Sequence, residues 1–384
     1  MYINRLLHEK IKERITNSNK AVIIYGARQV GKTTLSKQII GNLELYDKIK
    51  KPLLINADEI KYLDVLSSRD GVKLKSLVEG YDLLFIDEAQ RVPEIGLNLK
   101  ILIDEMPDLK IIATGSSSFE LANKVSEPLT GRIWTFELFP ISMAELHQDK
   151  NAFELNYDLE NILIYGGYPR VITENNLQRK KDLLKELGHS YLYKDILALA
   201  NIKHENKLAD LLKLLSFQIG NQVSITELSN SLNISRDAVN RYIDLLEKSF
   251  VIFRLKGFSN NLRKEVSKMD KIYFYDLGIR NLMIDNLKPL KDRNDIGQLW
   301  ENFLAVERKK LLSYNGIDGQ AYFWRTKAGT EIDYIEEREG KIYGFEFKYG
   351  ATSKNAPSNW IKEYPEAEFN LINKDNYLDF VTKI

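Results

Sequence analysis

The stretch "VIIYGARQVGKTTLSKQII", residues 22–40, contains the most specific pattern in the chain. Val22–Tyr25 are predicted to form a short buried strand, and Gly26–Thr33 match the phosphate-binding pattern GxxxxGK[ST]. Thr34–Ile40 then continue with the apolar spacing of a helix. Glycines let backbone N–H groups close around phosphates, and a helix that begins there directs its positive end towards them. The stretch therefore predicts a phosphate-binding loop inside a parallel α/β sheet.

The side chains of this loop have distinct predicted roles. Lys32 would reach the β- and γ-phosphates of ATP, and the Thr33 hydroxyl would be a ligand of Mg²⁺. Arg28 is a further candidate for contact with phosphate. The predicted nucleotide-binding residues of the loop are Gly26, Ala27, Arg28, Gln29, Val30, Gly31, Lys32, Thr33 and Thr34.

A second apolar run, "DLLFIDEAQ" at residues 82–90, ends in Asp87 and Glu88. An aspartate at the carboxyl end of a parallel strand beside the loop is suited to hold Mg²⁺. The adjacent Glu88 is suited to orient or deprotonate an attacking water, which predicts a hydrolase rather than a passive nucleotide binder.

Two later stretches offer candidates for contact with the γ-phosphate. "LKIIATGSSS", residues 109–118, predicts a third strand, after which Thr114 or Ser116 would sense the phosphate; a turn-forming serine run is the alternative. In "LTGRIWTFELFPIS", residues 129–142, Arg132 would supply positive charge to the transition state, within its own subunit or across a subunit interface. The alternative is an ordinary surface arginine.

Composition excludes several classes of site. The chain has 384 residues and a net charge of +1, so any contact with nucleic acid must come from local patches. It has no cysteine, which excludes disulfides, thiolate zinc sites and cysteine nucleophiles, and its four histidines lack metal-ligand spacing. No signal-peptide core or membrane-length apolar run is present, so we expect a cytoplasmic protein without membrane contact.

The middle of the chain is predicted to be helical from Leu155 to Gly220, which suits a lid over the nucleotide or a generic bundle. Residues 223–258 then follow helix-turn-helix order, with Thr226 as the expected cap of the first helix and Arg236–Lys248 as the second. A strand resembling a wing follows. The alternative is a packing module without DNA contact. Four polar residues lie near the start of the candidate recognition helix: Ser235, Arg236, Asn240 and Arg241.

The stretch "TEIDYIEEREGKIYGFEFK", residues 330–348, predicts two charged strands joined by a turn. Glu346 and Lys348 share a face because alternate residues of a strand point the same way, and Asp333 would approach from the neighbouring strand. Two carboxylates suit a hard cation such as Mg²⁺, and the lysine is suited to position or deprotonate a water that attacks a phosphodiester. Glu301, on a predicted helix over residues 297–312, would complete the group. The alternative is an ordinary charged hairpin.

Several of these segments together resemble a family of prokaryotic AAA-type ATPases. They are GARQVGKTTL, LLFIDEAQ, ATGSSS, GRIWTFELFPIS and the later YGGYPRV, residues 165–171. The resemblance implies an ATPase core, a helical lid, a winged helix and a C-terminal domain of unknown function resembling PD-(D/E)xK nucleases. It also implies that Gly166, Gly167 and Pro169 lie against the adenine.

The predicted fold is therefore α/β: a P-loop ATPase with a parallel sheet, a helical lid, a winged helix and a restriction-endonuclease-like mixed sheet. The expected boundaries are 1–148 for the ATPase core, 149–220 for the lid, 221–258 for the winged helix-turn-helix and 259–384 for the nuclease-like domain.

The predicted function is Mg²⁺-dependent ATP hydrolysis coupled to binding or processing of nucleic acid, with metal-dependent cleavage by Asp333, Glu346 and Lys348. DNA is the expected partner, RNA is left open, and a homo-oligomer is compatible with the sequence. The alternative is an ATP-gated switch whose C-terminal domain binds a partner or DNA and cuts nothing.

Overall fold

The computed structural model describes residues 3–46, 48–115, 129–188, 205–259, 269–317, 319–350 and 355–384. The chain forms two compact units. The first unit runs to Phe139 and also takes in Lys248–Phe250; the second takes in Pro140–Glu247 and Val251–Ile384.

The first unit is built around a five-stranded sheet in the order β2-β3-β4-β1-β5, in which every neighbouring pair is parallel. β1 is buried along its whole length, as its continuous apolar sequence predicts. In chain order the elements are α1 (Leu7–Asn17), β1 (Ala21–Tyr25), α2 (Lys32–Leu45), β2 (Pro52–Asn56), α3 (Ile60–Leu66), α4 (Gly71–Val78), β3 (Leu83–Asp87), α5 (Ile95–Glu105), β4 (Lys110–Gly115) and β5 (Ile133–Glu137).

The register of these strands positions the predicted loop. Tyr25 pairs with Gly115 at the carboxyl ends of β1 and β4, and β4 in turn separates β1 from β3. Because parallel strands end at the same edge, the loop after β1, the end of β4 and Asp87 at the end of β3 come together. The predicted order of strand, loop and helix is confirmed.

The second unit combines helices with a six-stranded mixed sheet in the order β11-β10-β9-β8-β6-β7. Its first helices are α6 (Met143–Leu146), α7 (Ala152–Tyr165), α8 (Pro169–Ile172), α9 (Leu177–Leu187), α10 (Glu205–Phe217), α11 (Ile225–Leu232) and α12 (Arg236–Lys248). The elements that follow are β6 (Ile252–Gly257), β7 (Lys271–Phe274), α13 (Leu277–Met283), α14 (Ile296–Asn315), β8 (Gln320–Arg325), β9 (Glu331–Arg338), β10 (Lys341–Phe347), α15 (Ser358–Glu363), β11 (Glu368–Ile372) and α16 (Tyr377–Thr382).

The expected boundary at residue 258 does not separate two sheets. β6, the predicted wing strand, pairs antiparallel with β7 and also pairs in parallel with β8, through Lys256 and Tyr322 and through Gly257 and Phe323. The helices after residue 149, the helix-turn-helix and the closing sheet all belong to the second compact unit. The predicted winged helix and closing domain therefore share one continuous sheet.

The N-cap of α11 is a different residue from the one that the sequence predicts. Ser224 caps this helix by accepting a hydrogen bond from the backbone N–H of Glu227, so the expectation that Thr226 is the cap is wrong. Asn233 adopts the left-handed conformation, φ 52°, at the turn before α12. The predicted strands of the closing sheet are present as β8, β9 and β10.

Within the described ranges, none of the helices is long and apolar enough to cross a membrane.

Candidate functional site

The phosphate-binding loop leaves β1 where its backbone touches the end of β5. Leu138 donates its backbone N–H to the carbonyl of Tyr25 at 2.7 Å. A Cβ placed on Gly26, where φ is 154°, would lie 2.1 Å from the carbonyl oxygen of Leu138, so only glycine fits there. Lys32 is buried, and its ammonium donates to the carbonyls of Gly26 at 3.0 Å and Ala27 at 2.8 Å. The loop thus holds its own lysine.

Asp87 connects the loop to the two strands beside it. One carboxylate oxygen accepts a hydrogen bond from the Thr33 hydroxyl at 2.7 Å, and the other accepts one from the Thr114 hydroxyl at 2.5 Å. A hydroxyl and a carboxylate are the oxygen donors that Mg²⁺ prefers, so Thr33 and Asp87 fit the predicted pair of ligands. Of the two candidates on the third strand, Thr114 lies in this network, while Ser116 lies outside the described residues.

Glu88 follows Asp87 in the left-handed conformation, with φ at 54°. Its backbone N–H donates to the Thr114 hydroxyl at 3.3 Å, and its carboxylate accepts a hydrogen bond from the Gln90 amide. A non-glycine residue in this conformation is uncommon and is characteristic of positions where the backbone aims a side chain. Glu88 is therefore turned out of the strand direction at the same edge as Thr33.

The remaining loop residues differ in exposure: Ala27 and Val30 are buried, Arg28, Gln29 and Gly31 are partly buried, and Thr34 is exposed.

Arg132 lies at the other edge of the sheet. Its backbone carbonyl accepts a hydrogen bond from Ala21 at the start of β1, whereas the loop follows the end of that strand. Four residue steps of about 3.3 Å put roughly 13 Å between the two ends. The guanidinium donates to Asp104 at 2.7 and 3.2 Å, which lowers the pKa of the Asp104 carboxyl. This position does not agree with a role of Arg132 in its own subunit's loop.

Arg5 is a contact of the loop that the sequence did not indicate. Its guanidinium donates to the carbonyl of Val30 at 2.7 Å and to that of Phe139 at 2.6 Å. Because a trans peptide directs its C=O and N–H groups to opposite sides, this hydrogen bond also orients the N–H of Gly31. An arginine ahead of an amphipathic helix has no pattern that would identify such a role.

In the second unit, an open cavity of about 740 Å³ gathers the predicted residues Glu301, Asp333, Glu346 and Lys348. Tyr334 pairs with Phe345 between β9 and β10, so Asp333 and Glu346 follow as cross-strand neighbours. The Lys348 ammonium lies 2.8 Å from the Glu346 carboxylate and 3.8 Å from that of Asp333. The predicted convergence of two acids and a lysine is present.

Lys271, at the start of β7, is a member of this cavity that the sequence did not indicate. Its ammonium lies 2.8 Å from Glu301, contacts Glu331, and lies 4.0 Å from Asp333. Tyr273 also donates its hydroxyl to Glu301 at 2.7 Å. Carboxylate oxygens of Glu301, Glu331 and Asp333 lie within 4.8 Å of one another. A lone lysine in an apolar strand carries no pattern that predicts these distant partners.

Burial, together with the crowding of acids, raises the pKa of Asp333. Burial contributes most, and the negative charges of Glu301 and Glu346 add to it, bringing the pKa to about 7. One oxygen of Asp333 also accepts a hydrogen bond from the backbone N–H of Phe347 at 2.8 Å. Burial disfavours the charged form of Lys271, but the surrounding carboxylates outweigh that effect and raise its pKa above the ordinary range. The acids thus give the cavity a negative electrostatic potential around the buried ammonium of Lys271.

The glycine pair predicted to contact adenine has a partner within its own unit. The N–H of Gly167 donates to Asp276 at 2.7 Å, and a Cβ on Gly166 would lie 2.2 Å from the same carboxylate. Asp276 also caps α13 through the N–H of Ile279 at 3.1 Å, and burial raises its pKa. Pro169 begins α8. Close packing accounts for both glycines, since a Cβ on Gly167 would lie 2.6 Å from the carbonyl oxygen of Ile141. The adenine contact of Gly166, Gly167 and Pro169 stays a prediction.

The start of the candidate recognition helix faces solvent. Ser235, Arg236, Asn240 and Arg241 are all exposed, while Val239 and Tyr242 point into the unit. The hydroxyl of Ser235 accepts a hydrogen bond from the N–H of Ala238 at 3.1 Å and so caps the helix. The exposed face is compatible with either alternative, DNA contact or a solvated surface.

Three family models match consecutive parts of the chain. An AAA domain matches residues 18–147, a domain of unknown function (DUF8612) matches residues 156–291, and another (DUF4143) matches residues 296–373. Uncharacterised proteins of Mycobacterium tuberculosis and Methanocaldococcus jannaschii are similar over most of the chain. The first is 28% identical and the match covers 86% of this chain and 70% of the relative; the second is 29% identical, with 88% and 79% covered.

The structure of replication initiator DnaA bound to AMPPCP and single-stranded DNA is 18% identical, with a TM-score of 0.33. That match covers 64% of this chain and 89% of that protein. A likeness at this TM-score carries no weight for function. The AAA and DUF4143 matches instead support an ATPase of the prokaryotic AAA type.

Proposed function

We propose that the protein is a Mg²⁺-dependent ATPase whose second unit binds and cleaves nucleic acid. In the first unit, the proposal is supported by the hydrogen bond between the Thr33 hydroxyl and the Asp87 carboxylate, since Thr33 directly follows the lysine of the loop. Mg²⁺ bound there would neutralise charge on the β- and γ-phosphates. Lys32 would bind those phosphates, and the N–H groups of residues 26–34 would close around them.

Glu88 would orient and accept a proton from the attacking water. Its left-handed backbone turns the chain out of the strand direction directly after Asp87, and the Gln90 amide donates a hydrogen bond to its carboxylate. Thr114 donates a hydrogen bond to Asp87 and would couple the presence or loss of the γ-phosphate to the end of β4. Arg132 would act on the nucleotide of another subunit.

The observation that carries the nuclease proposal is the meeting of Asp333, Glu346 and Lys348 in one open cavity. Their carboxylates offer the hard oxygen donors that Mg²⁺ and Mn²⁺ prefer, and Glu346 is almost fully buried. A divalent cation held there would stabilise negative charge that develops on a phosphodiester. Lys348, half-exposed at the mouth, would position the water. The arrangement is similar to that expected of PD-(D/E)xK nucleases.

DNA would be held by the start of α12, where Arg236 and Arg241 are exposed and free to approach phosphates. The chain's net charge of +1 means that attraction must come from such a local patch.

One observation favours the second candidate, an ATP-gated switch without cleavage. Lys271 and Lys348 already lie against the acids of the cavity, so the cluster is compatible with a purely structural ion-pair network. In that case the second unit would bind a partner or DNA and cut nothing.

A cleavage assay decides between the two. Single- and double-stranded DNA and RNA would be incubated with Mg²⁺ or Mn²⁺, with and without ATP, for the unaltered protein and Glu346→Gln. Glu337→Gln is the matched control, because Glu337 is exposed on β9. We expect cleavage that Glu346→Gln abolishes and Glu337→Gln leaves intact. Ion binding without cleavage of any substrate would favour the switch.

A further inference from the structure

The two lysines of the acid cavity differ in how firmly they are held. Lys271 is 1% exposed, and its ammonium touches Glu301 and Glu331 in the interior of the unit. Lys348 is 45% exposed and reaches its acids from the mouth of the cavity. A lysine stem is flexible, so the Lys348 ammonium can leave for solvent while that of Lys271 cannot.

The acids around Lys271 are also committed to other donors. Glu301 accepts the hydroxyl of Tyr273, and its second oxygen is so close to Gly220 that a Cβ there would lie 3.1 Å away. The second oxygen of Glu331 lies 3.2 Å from the guanidinium of Arg325. A cation that entered among these two carboxylates would have to displace a buried ammonium and leave it without counter-charge, which is costly.

The charges of the cavity fit one divalent cation. Four carboxylates, in their ionised form, face three cations: Lys271, Lys348 and Arg325. When Lys348 turns to solvent, two negative charges are uncompensated, which equals the charge of one Mg²⁺ or Mn²⁺. The oxygens that Lys348 releases belong to Asp333 and Glu346.

We propose that Lys271 is a resident cation that reserves Glu301 and Glu331, so that the cavity takes a single divalent cation, through Asp333 and Glu346, in place of the Lys348 ammonium. This inference rests on the proposed function of the same cavity. Two-ion sites hold their cations about 3.5–4 Å apart. Lys271 occupies the position that a second cation would need, and it is a positioning residue rather than a ligand. Glu301 then supports the site through Lys271 and does not bind the cation.

The test counts Mn²⁺ ions by calorimetric titration and by electron paramagnetic resonance, on the nucleotide-free full chain. All variants carry Asp87→Asn, so that no ion is counted at the loop of the first unit. With Lys271 present we expect one ion, and Asp333→Asn abolishes its binding. Lys271→Met, which keeps the length of the side chain and removes its charge, is expected to bind two. Lys348→Met is expected to keep one ion and bind it more tightly, because a competing ammonium is gone.

A further variant, Glu331→Gln, tests the inference without removing the buried Lys271. We expect its Mn²⁺ affinity to fall by less than about 10-fold, because Glu331 is reserved by Lys271 and the cation loses a nearby charge but no ligand. A loss of about 10-fold or more, as for a residue that supports a bound metal, would overturn the inference.

If Lys271→Met is unfolded without metal, its melting is followed with added Mn²⁺. Restoration of folding by Mn²⁺ supports the inference, and no response overturns it. Failure of the proposed function gives a different result: the parent chain then binds one ion and cleaves no substrate, which leaves the inference standing. A parent chain that binds no ion overturns the inference.

Discussion

Each unit contains a buried lysine, Lys32 in the first and Lys271 in the second, and the two lysines have partners of different kinds. Lys32 donates to two backbone carbonyls of its own loop, whereas Lys271 lies against the carboxylates of Glu301 and Glu331. A carbonyl is a neutral dipole, so a phosphate that carries full charge competes for Lys32 successfully. Carboxylates match that charge, and burial strengthens their attraction. From this difference we propose that the first lysine is held ready for a ligand and that the second is part of the fold.

The largest effect should come from Glu88, which we propose to act on water rather than on the bound nucleotide. We expect Glu88→Gln to bind ATP normally and to lower turnover by about 100-fold or more, the typical loss for a general base. Nucleotide affinity by fluorescence titration and phosphate release together provide the measurement.

Glu94→Gln is the matched control, because Glu94 is also left-handed, φ 52°, but pairs with Arg69 at the surface. Unchanged turnover in Glu88→Gln would show that the end of β3 does not activate water.

Removing the lysine of the loop should weaken binding rather than turnover alone. Lys32→Ala deletes charge-assisted hydrogen bonds to phosphate worth about 1.5–3 kcal/mol, so we expect ATP affinity to fall roughly 10- to 100-fold. Lys271→Met should leave ATP affinity unchanged, since its ammonium is committed to acids in the second unit. If the two substitutions weaken ATP binding equally, the distinction between a ready and a structural lysine fails.

A smaller effect is expected at the exposed start of α12. Arg236→Ala combined with Arg241→Ala should lower affinity for DNA of any sequence and reduce the slope of log K against log salt by about 1.8, or about 0.9 for each phosphate contact. Filter binding at several salt concentrations gives the slope. Arg170→Ala is the control, since Arg170 is exposed in the same unit but pairs with Glu186. An unchanged slope in the double variant would mean that α12 is a packing helix.

The smallest effect is expected at Arg132, which is exposed and pairs with Asp104 at the edge opposite the loop. Arg132→Ala should keep turnover within about 2-fold at protein concentrations where the chain is monomeric. Turnover would be followed across a range of concentrations. A large loss that develops only as the protein associates would identify Arg132 as a contact across subunits.

Much of the first unit could be predicted because its pattern residues lie in short contiguous stretches of the sequence. The loop is one contiguous stretch, and Asp87 ends an apolar strand that must lie in the same parallel sheet. The position of Arg132 was harder to predict. The direction of β5 in the sheet decides whether the residues at its start lie at the edge of the loop or at the opposite edge. Ser116 lies outside the described residues, so its predicted contact with the γ-phosphate stays a prediction.

The second unit was harder to predict because its partners are distant in sequence. The residues of the charged hairpin were found from the alternation of one strand pair, and the helix before it supplied Glu301. Lys271 was missed, since burying a lysine depends on acids that come 30 and 60 residues later. The pairing of β6 with β8, which merges the wing with the closing sheet, is long-range for the same reason.

The central claim is that ATP hydrolysis and cation-dependent cleavage belong to two chemically separate sites, and one paired measurement tests it most directly. Phosphate release and DNA cleavage would be followed in the same reactions for Lys32→Ala and Glu346→Gln. The Mn²⁺-induced rise in Tm, measured without nucleotide in versions of the same chains that also carry Asp87→Asn, is a third readout. We predict that Lys32→Ala loses ATP turnover and keeps the Mn²⁺ response, and that Glu346→Gln loses cleavage and the Mn²⁺ response while hydrolysing ATP. Cleavage and a Mn²⁺ response that survive in Glu346→Gln would contradict the account.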